Sequence, residues 1–261
     1  MPYSPWSERA RWALELSQLP HQRKVYTPLL GEVALKAKIG WSQRASVPVL
    51  LTPDGALTDS LEIGRYADKH GGGWPLFPAD LHAQIAEWNH RSNAVLEAAR
   101  GLALPRIAED PQALLEMIPR RLRPLAPIGA LALSRYGVLR TIAKYHATAG
   151  DAAYLAVIRE NLAALRGALG PDPAEGPTTL LGRFTFADIT AAQMLVPAGP
   201  HHGPYLRIAP RSRFCWTVPE FAEEFSDLLR WRDALYDRYR RPTAAPPLAR
   251  DEGASPPAEQ P

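Results

Sequence analysis

The chain is poor in cysteine: Cys215 is the single cysteine among its 261 residues. One cysteine excludes an internal disulfide and any metal site that needs several cysteines, and this usage is typical of a reducing compartment. Because Cys215 lies between Phe214 and Trp216, we interpret it as a small packing residue.

Long apolar runs and a large net charge are also absent. The most apolar stretch, residues 124–133, has roughly half the length that a membrane-spanning helix needs. Residues 3–11 are polar and charged, whereas a secretory signal needs an apolar core there. The formal net charge of +3 is small, and the basic run at 120–123 is typical of a solvated helix face. We therefore expect a cytoplasmic protein that binds neither membranes nor nucleic acid.

Motifs of several common enzyme classes are missing as well. The chain has neither a phosphate-binding loop nor a Gly-x-Ser-x-Gly nucleophile elbow. His201 and His202 are adjacent, a spacing that rarely chelates one ion, and no cluster of carboxylates flanks them. We expect a loop at this point and no metal site.

What the chain does have is three short motifs near its beginning. The first, Ser4-Pro5-Trp6-Ser7, stands directly before a helical pattern. The second is an apolar strand at 47–51 with a proline in its second position, and the third is the capping signal Asp59-Ser60 before another helix. Each alone has an ordinary explanation, as a helix N-cap or as the start of an edge strand. Their order and spacing together indicate one site that holds a small peptide.

These motifs resemble the N-terminal, thioredoxin-like domain of the soluble glutathione S-transferases. The run at 4–7 corresponds to the Cys-Pro-Tyr-Cys active site of glutaredoxins, and in serine-type transferases its first residue, here Ser4, is the catalytic hydroxyl. The family's cis-proline turn matches Val47-Pro48, and its acidic-Ser pair matches Asp59-Ser60. The resemblance is dense over residues 4–70 and looser to about residue 240.

The resemblance implies two domains of different class. It places an α/β thioredoxin-like domain at residues 1–70 and an all-α domain at 80–241. Composition adds a Gly/Pro-rich linker at 71–79 and a Pro/Ala-rich disordered tail at 242–261.

Periodicity predicts the elements of the first domain. A helix starts at Ser7 with its buried face on Ala10, Ala13, Leu14 and Ser17, so that Arg9 and Arg11 lie off that face. Strands are expected at 23–29, 47–52 and 56–58, and further helices at 31–39 and from Asp59 or Ser60 to the glycine run at 71–73.

The family's first domain begins with one more strand, for which residues 1–3 leave no room. Because that strand lies inside the sheet, its loss would leave neighbouring backbone groups unpaired. We therefore expect a native chain that begins several residues earlier, with a genuinely truncated domain as the alternative.

The second domain is predicted to be helical nearly to its end. The helices are expected at 81–104, 110–117, 131–146, 151–169 and 219–239. Thr185 and Asp188 form a capping-box pattern, which Phe184 and Ile189 flank as a hydrophobic staple. We expect this box to support the fold and to lie outside the active site.

By this resemblance glutathione is the co-substrate and no metal is needed. The resemblance assigns to its site Ser4, Trp6, Ser7, Ser46, Val47, Pro48, Asp59 and Ser60. A free thiol has a pKa of about 8.5 and is only slightly ionised at neutral pH. We expect the Ser4 hydroxyl to stabilise the thiolate by donating a hydrogen bond from the mouth of the first helix. Ser7 is the alternative donor if that helix starts later.

One position departs from the family pattern. Many relatives carry a lysine or a similar polar residue directly before the Val-Pro pair, where this chain has Ser46. The contact of that lysine to the glycyl carboxylate is lost, unless Arg44 or Gln43 replaces it.

These inferences predict a transferase that conjugates glutathione to a small hydrophobic electrophile. Helices at 81–106 and 136–145 are expected to line the electrophile site, and the resemblance implies a homodimer. A non-catalytic binding or assembly protein on the same scaffold is one alternative. A glutathione-dependent isomerase or reductive dehalogenase is another, since it would share the site and differ in the electrophile.

Overall fold

The computed structural model of the chain describes residues 4–26, 31–43, 45–118, 123, 129–145, 150–170 and 178–240. The first part contains helices α1 (Pro5–Leu16), α2 (Glu32–Ile39) and α3 (Ser60–His70) and strands β1 (Leu50–Thr52) and β2 (Gly55–Leu57). A single 3₁₀ turn, Ala79–Leu81, leads into the second part. That part contains helices α4 (His82–Glu109), α5 (Pro111–Met117), α6 (Ala130–Lys144), α7 (Asp151–Leu169), α8 (Phe186–Met194), α9 (Pro210–Trp216), α10 (Pro219–Glu224) and α11 (Ser226–Tyr239). This order confirms the predicted fold class, an α/β part followed by a helical part.

Helix α1 begins at Pro5, earlier than the predicted start at Ser7, because Ser4 caps it. The Ser7 N–H donates to Ser4 Oγ at 3.3 Å, which satisfies one of the amides that a helix start leaves unpaired. Pro5 suits the first helical position, where no N–H is required.

Helices α1 and α3 lie side by side and run in the same direction. Just beyond the end of α3, the N–H groups of Gly73 and Trp74 donate to the carbonyls of Ser17 and Leu16, at 3.1 and 2.9 Å. The two C-terminal ends therefore meet, and the two N-terminal ends open at the same end of the pair. Four side chains form the small core between the helices, namely Ala10, Leu14, Ile63 and Ala67.

The sheet of the described residues consists of β1 and β2, an antiparallel pair with Leu50 opposite Leu57. The turn between them ends at Gly55, whose φ of +133° requires glycine, as the Pro-Asp-Gly sequence predicts. The strand predicted at 23–29 is wrong over 23–26, which form no strand, and 27–30 lie outside the described residues. Val25 is 71% exposed, and no described strand runs alongside to accept its ladder bonds.

The second part builds the main core around α4, which packs against α6, α7, α8 and α9. The helices predicted from 81 to 169 are confirmed as α4 to α7, although α4 continues through Pro105 to Glu109. The single helix predicted at 219–239 is wrong: α10 and α11 are separated at Phe225, whose ring is fully buried. Tertiary packing of this ring overrides a continuous helical pattern. Helix α9 was not predicted, and the tail beyond residue 241 lies outside the described residues.

The capping box at the start of α8 is present. The Thr185 N–H donates to Asp188 Oδ2 at 2.8 Å, and the Ala187 N–H donates to Thr185 Oγ1 at 3.2 Å. Asp188 Oδ1 also accepts from the Leu180 N–H at 2.8 Å, so this fully buried carboxylate joins the preceding loop to the helix. Burial raises the pKa of Asp188 to about 6, against the opposing effect of these hydrogen bonds. Across the described chain, every helix is too short or too polar to span a bilayer.

Candidate functional site

Ser4 lies at the N-terminal end of α1 and is 9% exposed. Its oxygen accepts from the Ser7 N–H, which polarises the hydroxyl and leaves its proton available for donation. The positive end of the helix dipole favours an anion at the same point. Ser7 lies within the first turn of α1, so the structure makes Ser4 the cap and Ser7 its donor.

The second motif forms a bend ahead of β1. The Val47–Pro48 peptide bond is cis, as the resemblance implies. Ser46, Val47 and Pro48 are all half-buried, and Ala45 just before them is buried. Lys144, at the end of α6, donates to the carbonyl of Ala45. The structure thus brings a cation from the second part of the chain to the loop before the Val47–Pro48 bond, a contact for which no sequence motif is a signal.

The third motif caps α3, and its two residues have different tasks. Asp59 is exposed, and its Oδ1 accepts from the N–H groups of Leu61 and Glu62 at 2.8 and 3.2 Å. Two of the backbone amides at the start of α3 therefore already donate to Asp59. Ser60 is 2% exposed, and its hydroxyl has no hydrogen-bond partner among the described residues. A buried hydroxyl without a partner is rare in native proteins and calls for an explanation.

Trp6 lies on the side of α1 that faces α4. Its Nε1–H donates to Asn93 Oδ1 at 3.1 Å. The Arg100 guanidinium lies 5.0 Å from the centre of the Trp6 ring and 3.7 Å from that of Tyr145. The first turn of α1, the middle of α4 and the end of α6 therefore meet at Trp6, two residues after Ser4. Asn93, Arg100 and Tyr145 lie in the helical stretches expected to line the electrophile site.

Arg9 is the largest departure from the sequence-based expectation, because it is fully buried. The amphipathic pattern predicted one buried face on α1, and in the structure Ala10 and Leu14 of that face pack against α3. The second part of the chain buries another face, on which Trp12 is also fully buried. A helix that is covered on two sides buries residues that a one-faced pattern assigns to solvent.

A second buried charge cluster joins α1 to the end of α11. Glu8 is fully buried, and its Oε1 accepts from Arg240 Nε at 2.8 Å. Glu8 Oε2 accepts from Arg11 at 2.6 Å, and Arg240 also pairs with Glu15. The sequence does not predict this cluster, because Arg240 lies more than 200 residues from Glu8 and no local pattern indicates the contact.

The histidine pair His201-His202 and Cys215 lie in packing or loop positions in the described chain. His201 Nδ1 lies 2.9 Å from Asp233 Oδ1, and its ring stacks on Tyr236 with 3.8 Å between centroids. His201 and His202 lie in a loop, as predicted. Within the described ranges no group of three or more His, Cys, Asp or Glu residues could hold a metal ion. Cys215 is buried, and burial raises the pKa of its thiol.

Comparison with known proteins finds one matching family model and several solved structures of similar fold. Residues 3–70 match the family model described as glutathione S-transferase, N-terminal domain. No curated protein matches the chain. Two similar structures were solved as complexes with glutathione, both transferases of Ceriporiopsis subvermispora. CsGST63524 is 19% identical, with 93% of each chain covered and a TM-score of 0.54. CsGST83044 is 17% identical, with 91% of each chain covered and a TM-score of 0.54.

A third solved structure, glutathione transferase GSTFuA2 from Phanerochaete chrysosporium, is 16% identical, with 92% of each chain covered and a TM-score of 0.56. At such low identity these likenesses establish the fold: a small thioredoxin-like part followed by a helical part, over nearly the whole chain. The chain therefore has the glutathione S-transferase fold, and its residues 3–70 match the model of that family's N-terminal domain.

Proposed function

We propose that the chain is a glutathione transferase that conjugates the glutathione thiolate to a small hydrophobic electrophile. The observation that carries this proposal is the position of the Ser4 hydroxyl at the N-terminal end of α1, at the same end as Ser60 on the parallel helix α3. Two transferases of similar fold were solved with glutathione, which supports the same ligand here.

Ser4 acts on the thiol of bound glutathione without itself becoming the nucleophile. Its O–H donates to the sulfur, and the helix end adds a favourable field, so both stabilise the thiolate relative to the thiol. Each unit by which the thiol pKa falls corresponds to about 1.4 kcal/mol of this preference. The thiolate then attacks the electrophile, forming the S–C bond as the leaving group departs with its electron pair or an epoxide ring opens.

The other motifs hold the rest of the peptide. The main chain of Val47 pairs with the cysteinyl backbone in the manner of an added strand, beside Ser46. The Ser60 hydroxyl meets the γ-glutamyl carboxylate, and Asp59 lies near the γ-glutamyl amine. The electrophile lies against Trp6 and the facing parts of α4 and α6.

The domain bounds at 70 and 80, a homodimer and a cytoplasmic location are part of the same proposal. They rest on the family resemblance. Light scattering on the purified protein tests the dimer directly.

Retention on immobilised glutathione, with elution by free glutathione, tests the binding step. A screen of chloronitrobenzene, epoxide and peroxide substrates then tests turnover. We expect retention and measurable conjugation of the chloronitrobenzene or the epoxide, whereas turnover of the peroxide alone would be a reduction and no conjugation. Retention without any turnover favours the non-catalytic alternative, and turnover by isomerisation or reductive dehalogenation favours the other.

A further inference from the structure

The guanidinium of Arg9 is buried without a carboxylate to bond. Arg9 Nη1 donates to Asn93 Oδ1 at 2.6 Å and to Asn89 Oδ1 at 3.3 Å, and Nη2 donates to Ser92 Oγ at 2.6 Å. All three partners are neutral and lie on α4. Arg9 Nε has no hydrogen-bond partner among the described residues. The result is a cation fixed in the interior by dipoles alone.

Such an arrangement needs a reason, because removing an ion from water costs several kcal/mol even after the protein relaxes. The same helix shows the usual solution one residue earlier, where buried Glu8 is paired with Arg240 and Arg11. Burial lowers the pKa of Arg9, and only the negative charge of Asp59 opposes this effect. Asp59 is exposed and occupied in capping α3, so it compensates the buried charge from a distance.

The position of Arg9 in the fold indicates which group could balance its buried positive charge. Arg9 lies in the second turn of α1, and α1 runs parallel to α3 with both N-terminal ends at one end. Ser60 lies in the first turn of α3, at this same end of the helix pair. Like Arg9 Nε, its buried Oγ has no hydrogen-bond partner among the described residues. A ligand carboxylate at this end of the helix pair would accept a hydrogen bond from the Ser60 hydroxyl. Its negative charge would also balance the buried positive charge of Arg9.

We propose that Arg9 is a positioning residue for the γ-glutamyl end of glutathione, which attracts the ligand's α-carboxylate towards Ser60 through its buried positive charge. This inference rests on the proposed function. Because Arg9 is fully buried, it acts through the field at the start of α3 and not by contact. Binding of the ligand supplies the negative charge that the interior around Arg9 lacks.

The hydrogen bonds of Arg9 suit this role, because they fix the charge in place. Asn93 Oδ1 accepts from both Arg9 and Trp6, and Ser92 Oγ donates onward to the Thr190 carbonyl at 2.6 Å. A charge held in this way needs no reorganisation when the ligand arrives, which is the condition for a strong electrostatic effect in a dry site.

A pair of ligands separates this role from a structural one. Glutathione carries the α-carboxylate, whereas γ-aminobutyryl-cysteinyl-glycine lacks it and keeps the amine, the thiol and the glycyl end. Calorimetric titration of wild type, Arg9→Met and Arg9→Lys with both ligands gives the preference for the carboxylate in each protein. Arg65→Gln is the matched control, because Arg65 is an exposed arginine on α3.

We expect wild type and Arg65→Gln to prefer glutathione by at least about tenfold, and Arg9→Met to lose most of that preference. Arg9→Lys should keep the preference near neutral pH and lose it as the pH rises, relative to wild type at the same pH, because a buried lysine gives up its proton readily. The pH readout lies outside what a purely structural residue would produce.

Equal weakening of both ligands by Arg9→Met, or an unchanged preference, would overturn the inference while leaving the proposed function intact. If Arg9→Met does not fold, Arg9→Lys decides: a preference that stays at the wild-type value from about pH 6 to about pH 9 overturns it. Failure of wild type to bind either ligand refutes the proposed function, and this inference with it.

Discussion

Glu8 on α1 and Arg240 at the end of α11 form a buried ion pair, with 2.8 Å between Arg240 Nε and Glu8 Oε1. Their side chains are 0% and 3% exposed. Glu8 lies one turn beyond Ser4, so the pair fixes the helix that carries the candidate catalytic hydroxyl against the last described residue of the chain.

Arg240→Met should lower the free energy of unfolding by about 3–5 kcal/mol, because it removes one partner of a buried carboxylate. Arg23→Met is the matched control: Arg23 also pairs with α1, through Glu15 at 3.6 Å, but is 43% exposed. It should cost less than about 1 kcal/mol. Urea unfolding measures the free energy of unfolding of both variants. An equal decrease in the two would show that the buried ion pair stabilises the protein no more than the exposed one.

Gly73 should not tolerate a side chain, whereas Gly72 should. A Cβ on Gly73 would stand 2.0 Å from the Leu16 carbonyl oxygen, while a Cβ on Gly72 meets nothing within 4 Å in the described structure. We expect Gly73→Ala to destabilise the protein by about 1–3 kcal/mol, by forcing apart the ends of α1 and α3. Gly72→Ala should stay within about 1 kcal/mol of wild type. Similar melting temperatures for the two variants would contradict the tight contact.

Asp188 should stabilise the fold, and Ser60 should contribute glutathione affinity. Asp188→Ala leaves the buried N–H of Thr185 without its acceptor, at a cost of about 1–3 kcal/mol, and also removes the acceptor of the Leu180 N–H. We expect a lower melting temperature or soluble yield with little change in KM for glutathione. Ser60→Ala should raise KM and leave the melting temperature nearly unchanged. A stable Asp188→Ala protein with weakened glutathione binding would reverse the assignment.

The raised pKa of Asp188 also predicts the sign of a pH effect. Because its pKa is about 6 in the folded protein and near 3.8 when unfolded, the folded state binds more protons between these values. The contribution of Asp188 to stability is therefore full below about pH 4 and falls as the pH rises through about 6. The difference in unfolding free energy between wild type and Asp188→Ala should be larger at about pH 5 than at about pH 7, by roughly 1 kcal/mol. A difference that grows with pH would show that the hydrogen bonds outweigh burial.

The features that the sequence predicted well are those with local causes. The caps at Asp59 and at Thr185 with Asp188 depend on side chains within three residues of the helix start. The Pro-Asp-Gly turn before β2 depends on the conformations that proline and glycine allow.

The features that the sequence predicted poorly depend on partners far along the chain. A strand at 23–26 needs a neighbouring strand, and no described strand supplies one. The burial of Arg9 and the pairing of Glu8 with Arg240 depend on α4 and α11, which pack on a face of α1 that its own periodicity assigns to solvent. The break at Phe225 likewise follows from packing.

The thiol pKa of glutathione bound to wild type, Ser4→Ala and Ser7→Ala tests the central claim most directly. It is measured as thiolate absorbance against pH, with the protein saturated by glutathione. We predict a value at least about one unit below the free thiol's ~8.5 for wild type and Ser7→Ala. Ser4→Ala should raise it by about one unit while glutathione affinity changes only a few-fold. A raised pKa in Ser7→Ala with Ser4→Ala unchanged would contradict the assignment of Ser4.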